Sequence, residues 1–386
     1  MNLVRRASVF VWAGLLLVPV MQMAFRVVPE APIQENRVLA QFPGWTAEGL
    51  LSPGTWGMKF HAWFNDNFGF RNTLIRLINQ ADYLLWYSDR VHLGRDGWLH
   101  YRLVLDDGKP KLARLPPEEI SAIAERVEAM RAFLASRGLR LMAVTIPQKD
   151  VIYPETLRYD APVLPRPSSF DRLRAALSAR LGQDHIDGQE IMEDLKRRGV
   201  QVFHRTDFHW TDVAGGEVGR VLVNRIADLE GRPDLRWVEP LKALPLDNWS
   251  GGEAQFMPLL RPLTENTTRL ESWNDPARGS FEWLGTDQHF NQAFPWAYSF
   301  VWRSSQSERT LPAAIMATNS YGDSFWRAGM HFHFRRIQVQ RFRGAKPASF
   351  MAETINTVLP DTKYFVIQFH ELHMPNAGLV DWATVR

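Results

Sequence analysis

Five short runs of strand-forming residues, separated by helical patterns, constrain the fold of this chain most strongly. The predicted strands are residues 139–146, 200–204, 311–318, 335–342 and 363–370. The runs at 139–146 and 311–318 are mostly apolar, as expected for strands that are buried on both faces of a sheet. Helical patterns occupy residues 116–138, 168–182, 189–198 and 212–229. This alternation predicts an α/β fold whose mostly parallel sheet is flanked by helices.

The N-terminus predicts a membrane anchor. Residues 9–25 carry no charge and follow Arg5 and Arg6. A helix of this length spans about 25 Å, which is within the range of transmembrane helices. The preceding arginines favour a cytoplasmic N-terminus and an exported body. A cleaved signal peptide is the alternative, but the sequence lacks the small residues typical of a cleavage site.

The chain is predicted to have three parts. They are a transmembrane anchor at 1–26, a tether with a helical extension at 27–90, and a globular domain at 91–386 that carries the chemistry. Apolar positions across 58–87 predict two helices with a break at Asn67-Phe68-Gly69. The segment 240–300 is rich in Trp, Asn, Gly and Pro and does not follow the α/β alternation. We therefore predict an irregular insertion there, near the functional face.

The composition excludes several kinds of site. The formal net charge is only +3 and no long run of Lys or Arg occurs, so nucleic-acid binding is not indicated. The absence of cysteine excludes disulfides, thiolate catalysis and Cys-ligated zinc. No cofactor is predicted. No metal site is predicted either, because the nearest pattern, His331 with His333, forms no zinc signature with His209.

The segment HRTDFHWTDV, residues 204–213, holds a candidate acid–base pair. In an extended backbone, residues i and i+2 point to the same side. Asp207 can therefore hold one imidazole nitrogen of His209 while the other nitrogen stays available for proton transfer. The alternative is a structural histidine that caps the helix beginning near Thr211. The segment alone does not distinguish the two.

The segment NSYGDSFW, residues 319–326, holds a candidate nucleophile. It follows a predicted strand, and open α/β sheets place their sites at the carboxyl ends of strands. We predict Ser324 as the nucleophile, with backbone amides around Gly322 and Ser324 as donors to an oxyanion. Asn319 is a further oxyanion candidate. The alternative is that Gly-Asp-Ser is an ordinary turn sequence.

The two segments complement each other chemically. A serine hydroxyl needs a base, and a histidine base needs an acid that fixes its tautomer. Each segment follows a predicted parallel strand, so both can reach the same edge of one sheet. The sequence therefore predicts a triad of Asp207, His209 and Ser324.

With its DFHW and GDSF segments and its N-terminal anchor, the chain resembles the AlgJ/AlgX-like, or DHHW, group of SGNH-hydrolase-type polysaccharide O-acetyltransferases. Asp207 and His209 precede Ser324, which is the reverse of the order in ordinary SGNH hydrolases and matches a circular permutation. Phe208 departs from the group, which has a second histidine at this place. Further similar segments are ENRVLAQFP (35–43), FNDNFGFRNTLI (64–75), LGRDGWLHY (93–101) and IPQKDVIYPETL (146–157).

The resemblance implies that an acetyl group moves through a serine acyl-enzyme onto an exopolysaccharide, alginate or another polymer. It implies a catalytic domain in the bacterial periplasm, held by a single-pass anchor in the inner membrane. It also implies a membrane-bound O-acyltransferase that supplies the acetyl group, and other secretion subunits as partners. The short stretch after Ser324 favours the AlgJ-like type over AlgX-like members, which add a carbohydrate-binding module.

Two other functions stay open on the sequence alone. An acetyl esterase would use the same triad with water as the acceptor. A non-catalytic polysaccharide-binding subunit of a secretion complex would need none of the three side chains.

Overall fold

The computed structural model describes most of the chain. The described residues are 12, 14, 17–33, 38–45, 52–108, 115–159, 161, 166–272, 275–284, 299–341 and 353–371. The chain divides into two compact units. The first is Met1–Asp89 with Ala254–Leu263, and the second is Arg90–Glu253 with Thr264–Arg386.

The first unit is helical. Residues 17–25 are helical, and they are followed by α1 (Pro53–Asn67) and α2 (Arg71–Leu84). The two helices break where the sequence predicts, and Phe70 takes the left-handed conformation that turns the chain between them (φ +63°).

Within the described residues, no helix is long and apolar enough to cross a membrane. Residues 1–11, 13, 15 and 16 of the predicted anchor lie outside the described part.

The second unit contains eleven strands among its described residues. They are β1 (Val91–Leu93), β2 (Leu99–Tyr101), β3 (Arg140–Ile146), β4 (His185–Asp187), β5 (Ala243–Trp249), β6 (Glu265–Leu270), β7 (Gly279–Trp283), β8 (Phe300–Ser304), β9 (Ala313–Thr318), β10 (Arg336–Arg341) and β11 (Thr362–His370). The main helices that begin in this unit are α3 (Pro117–Ser136), α4 (Lys149–Ile152), α5 (Ser169–Leu181), α6 (Gly188–Arg197), α7 (Asp212–Leu229), α8 (Gly252–Phe256) and α9 (Asp323–Arg327).

Seven of the strands form one central sheet, in the order β4-β3-β11-β9-β10-β8-β7. The first five are parallel to one another, and β8 and β7 add an antiparallel edge. The prediction of an α/β fold with a mostly parallel sheet is confirmed. The parallel strands all end at one edge, and Ser320 of the candidate site follows the end of β9 there.

The sheet is covered by helices on both faces, because its central strands are apolar on both sides. Along β9, Ala314 and Met316 face a cluster that contains residues of α6 and α7. Their neighbours Ile315 and Ala317 face a cluster that contains residues of α3 and α5. This alternation makes β9 a buried central strand and fixes the direction in which its carboxyl end emerges.

The prediction of a strand at 200–204 is wrong. Phe203 forms only an isolated bridge with Trp210, and the Val202 amide donates to the Tyr153 hydroxyl (3.0 Å). The backbone there is held by its own loop and by a side chain, so it does not join the sheet. The edge position belongs to β4, whose three residues are too few to give a periodic signal.

Residues 240–300 contain more regular structure than their composition indicates. The strands β5 and β6 pair as an antiparallel hairpin, and β7 lies at the edge of the central sheet. Residues 273–274 and 285–298 of this segment lie outside the described part.

Candidate active site

The DFHW segment lies on a closed loop that enters α7. The Thr211 amide donates to the Val202 carbonyl (2.9 Å), which closes the loop at its base. The Thr211 hydroxyl then caps the N-terminus of the helix by accepting from the Ala214 amide. Helix capping is thus done by Thr211, which leaves the His209 imidazole available for another contact.

Three side chains form a continuous hydrogen-bonded chain at this loop. Asp207 Oδ1 lies 2.7 Å from His209 Nδ1, and His209 Nε2 lies 2.8 Å from Ser320 Oγ. The His209 side chain keeps 26 % of its surface exposed, so the site is open to a substrate. Asp207 can fix the imidazole tautomer, and Nε2 can take the proton of the Ser320 hydroxyl.

The surroundings of Asp207 favour its ionised form. Burial acts to raise the pKa of this carboxyl, but the His209 imidazole and the Gly252 amide more than offset it. The pKa of Asp207 therefore lies well below its ordinary value. Oδ1 also accepts from the His209 amide (2.7 Å), and Oδ2 accepts from the Gly252 amide (2.5 Å). Both carboxylate oxygens are used, which holds the side chain in one orientation.

The prediction that Ser324 faces His209 is wrong. Ser324 is only 1 % exposed, and its hydroxyl donates to the Tyr321 carbonyl (3.0 Å). A Cβ placed on Gly215 of α7 would lie 1.9 Å from Ser324 Oγ, so the hydroxyl points into the packing between α9 and α7. Ser320, two residues after β9 ends, is the serine that reaches the imidazole.

The other members of the Gly-Asp-Ser turn also have structural contacts. A Cβ on Gly322 would lie 2.1 Å from Thr318 Oγ1, so no side chain fits there. The Gly322 amide donates to the Asn319 carbonyl (3.1 Å). This hydrogen bond occupies the N–H group that was expected to donate to an oxyanion. Asp323 pairs with Arg341.

Asn319 shapes the turn that presents Ser320. Its side-chain oxygen accepts from the Tyr321 amide (3.0 Å), which caps the short 3₁₀ turn of Ser320–Gly322. The Asn319 side-chain oxygen therefore stabilises the turn that holds Ser320 in position.

Tyr321 ties the two segments together. Its hydroxyl donates to the Phe208 carbonyl (2.9 Å), and its carbonyl accepts from Trp210 Nε1 (3.0 Å). Burial raises the pKa of the Tyr321 phenol well above its usual value, so it acts as a neutral donor. Trp210 is 2 % exposed and packs beneath the site against Tyr321 and Phe325.

Glu265 of β6 is a site residue that the sequence reading missed. Its carboxylate accepts from the amides of Arg205 (3.0 Å) and Thr206 (2.8 Å), and from the Thr206 hydroxyl (2.7 Å). It is 2 % exposed. No sequence pattern identifies Glu265, because it lies 58 positions after Asp207 in a segment whose residues show neither helical nor strand periodicity. Glu265 therefore holds the loop in place at Arg205 and Thr206.

Within the described part of the chain, no group of three or more His, Asp or Glu side chains is arranged to hold a metal ion. The hydrogen-bonded chain of Asp207, His209 and Ser320 is suited to acyl transfer through a serine ester.

Comparison with known proteins identifies similar sequences over part of the chain. The sequence model of the family described as "SGNH hydrolase-like domain, acetyltransferase AlgX" matches residues 91–236, which include Asp207 and His209. The probable alginate O-acetylase AlgJ of Pseudomonas fluorescens is 29 % identical over 228 residues, 57 % of this chain and 55 % of that protein. Its counterpart in Pseudomonas putida is 30 % identical over 195 residues, 48 % of this chain and 46 % of that protein.

The solved O-acetyltransferase domain of Pseudomonas putida AlgJ is 19 % identical to this chain. The alignment covers 74 % of this chain and 92 % of that domain, with a TM-score of 0.48. The chain spans about half the length of the curated relatives that it matches. The sequence matches confirm that this chain resembles the AlgJ/AlgX-like O-acetyltransferases, and the SGNH hydrolase-like match covers residues 91–236 of its α/β fold.

Proposed function

We propose that this chain, which resembles the AlgJ/AlgX-like group, is a polysaccharide O-acetyltransferase that works through an acetyl ester of Ser320. One observation carries the proposal: Asp207, His209 and Ser320, the last of which follows the carboxyl end of β9, form a hydrogen-bonded chain. The names of the relatives, probable alginate O-acetylases, supply the acetyl group and the polysaccharide class.

In the first half of the reaction, Ser320 Oγ attacks the carbonyl carbon of an acetyl donor. His209 Nε2 takes the hydroxyl proton, and the ionised Asp207 stabilises the imidazolium that forms. The tetrahedral intermediate then expels the donor group, which receives the proton from His209. The products are acetyl-Ser320 and the free leaving group.

In the second half, a sugar hydroxyl attacks the carbonyl of acetyl-Ser320. His209 Nε2 takes the proton of that hydroxyl and then returns it to Ser320 Oγ as the ester bond to the enzyme breaks. The acetyl group is now an ester of the sugar, and the site is restored. Water in place of the sugar would give acetate, so the outcome depends on which acceptor reaches the ester.

The setting that we propose follows the resemblance. The domain works in the bacterial periplasm beside an inner-membrane O-acyltransferase that supplies the acetyl group, and residues 9–25 are its single-pass anchor. Other subunits of an exopolysaccharide secretion machine are the proposed partners. The acceptor is alginate or a related polymer.

The test is acetyl transfer by the purified chain from an activated acetyl ester to mannuronate oligosaccharides, measured by mass spectrometry of the sugars. We expect acetylated oligosaccharide from the unmodified chain and none from Ser320→Ala. Free acetate as the sole product, at the same rate with and without oligosaccharide, would show an esterase instead. Equal transfer by Ser320→Ala would overturn the proposed nucleophile, and no reaction with any ester would favour a binding subunit.

A further inference from the structure

A buried lysine lies directly behind the loop that carries Asp207 and His209. Lys149 begins α4, three residues after the end of β3. Only 3 % of it is exposed, and its partner Glu253 is completely buried. A lysine is rarely buried to this extent unless every donor of its ammonium group is used.

The Lys149 ammonium has three acceptors for its three N–H donors. Nζ donates to the Asp207 carbonyl (2.8 Å), to the His204 carbonyl (3.2 Å) and to Glu253 Oε2. Two of these acceptors are main-chain atoms of the DFHW loop. The third is a carboxyl group that lies next to Gly252 in sequence.

Asp207 is consequently held from two directions. Lys149 fixes its main-chain carbonyl, and the Gly252 amide fixes Oδ2 of its side chain (2.5 Å). Glu253 follows Gly252 and anchors the ammonium. The lysine thus joins the end of β3, the loop and the start of α8 around the one carboxylate that orients His209.

We propose that Lys149 is a positioning residue, which sets the backbone of the DFHW loop so that Asp207 meets His209 Nδ1. Its ammonium contacts two main-chain carbonyls and Glu253, so it acts through the backbone of the loop. This inference rests on the proposed function only for its kinetic readout, because the contact between Asp207 and His209 can be observed directly.

The experiment compares the full chain with the Lys149→Met and Lys196→Met variants. Lys196 is the matched control, because its Nζ also donates to a main-chain carbonyl (Ile152) and to a carboxylate (Glu155), but not to the loop. We expect Lys149→Met to lower kcat for acetyl transfer about 100-fold with little change in KM, since small misplacements in a catalytic group have this effect. Lys196→Met should leave kcat unchanged.

Proton NMR gives the readout that does not require activity. An imidazole N–H donating to a carboxylate resonates far downfield, so the unmodified chain should show this signal for His209, and His209→Gln should lack it. The signal should persist in Lys196→Met and disappear in Lys149→Met at a temperature where that variant is folded. Its persistence in Lys149→Met would overturn the inference.

A double variant separates positioning from stability. Lys149→Met leaves Glu253 buried without its partner, whereas Lys149→Met with Glu253→Leu removes both polar groups, and such replacements are often neutral or stabilising. We expect the double variant to recover its melting temperature but not its kcat or the downfield signal. Recovery of all three would show a merely structural role. If Ser320→Ala kept full activity, the proposed function would fail while the NMR comparison still tested Lys149.

Discussion

Ser320 and Ser324 are four residues apart, and their hydroxyls have different neighbours. Ser320 Oγ meets the imidazole of His209 at 2.8 Å, whereas Ser324 Oγ is buried against α7 and donates to the Tyr321 carbonyl. The Tyr321 carbonyl has a second donor in Trp210 Nε1. If the Ser324 hydroxyl is removed, the Tyr321 carbonyl therefore still accepts from Trp210 Nε1.

From these contacts we predict a mild effect of Ser324→Ala. It should lower the free energy of unfolding by about 0.5–1.5 kcal/mol, the usual contribution of one hydrogen bond, and leave acetyl transfer unchanged. Denaturant unfolding and the transfer assay measure the two quantities. A loss of activity as deep as that of Ser320→Ala would return the nucleophile to Ser324.

The ionised carboxylate of Asp207 makes the free energy of unfolding depend on pH. Its pKa is depressed in the folded chain, while an unfolded Asp has a pKa of about 3.9. The stabilisation is therefore fully present above that value and is lost as the pH falls toward the depressed folded pKa. We predict that the unmodified chain loses stability more steeply below about pH 4 than Asp207→Asn does, by urea unfolding at each pH. Parallel pH profiles would contradict this.

At the scale of elements, the loop before α7 is held by segments that are remote in sequence. The hairpin of β5 and β6 supplies Glu265, which accepts from two loop amides and one hydroxyl. The start of α8 supplies the Gly252 amide to Asp207. The loop is closed at its base by the hydrogen bond between the Thr211 amide and the Val202 carbonyl, and its geometry also depends on these remote supports.

This dependence predicts a large effect of Glu265→Ala. The variant leaves the amides of Arg205 and Thr206 without this acceptor, and an unsatisfied buried group such as the Thr206 amide costs about 1–3 kcal/mol. We expect a loss of at least about 2 kcal/mol in unfolding free energy and a lower kcat. Glu271→Ala is the control, because Glu271 follows the same strand with its side chain 52 % exposed. Equal stability of the two variants would show that the loop does not depend on β6.

Across the whole molecule, the sequence predicts most of the sheet because its central strands are apolar on both faces. The strands β3, β9 and β11 and the helices α3, α5, α6 and α7 lie within a few residues of their predicted places. The sequence does not predict the antiparallel edge of β7 and β8, since each strand is only five residues long and lies within or directly after the segment that is predicted to be irregular. The three residues of β4 are below the length at which a pattern is visible.

The candidate site was predicted only in part, for a related reason. Asp207 and His209 are two residues apart, so spacing alone places them together. Ser320 lies 111 residues from His209 in sequence, and the choice between it and Ser324 depends on which hydroxyl emerges at the edge of the sheet. Lys149 and Glu265 contact main-chain groups of the loop, and contacts of this kind cannot be recognised from the pattern of side chains.

The position of a covalent adduct shows directly which serine is the nucleophile. The full chain is treated with phenylmethylsulfonyl fluoride, digested and sequenced by tandem mass spectrometry, alongside His209→Ala and Ser324→Ala. We expect a sulfonyl group on Ser320 in the unmodified chain and in Ser324→Ala, and a much slower reaction in His209→Ala. An adduct on Ser324, or labelling of Ser320 at the same rate without His209, would contradict this expectation.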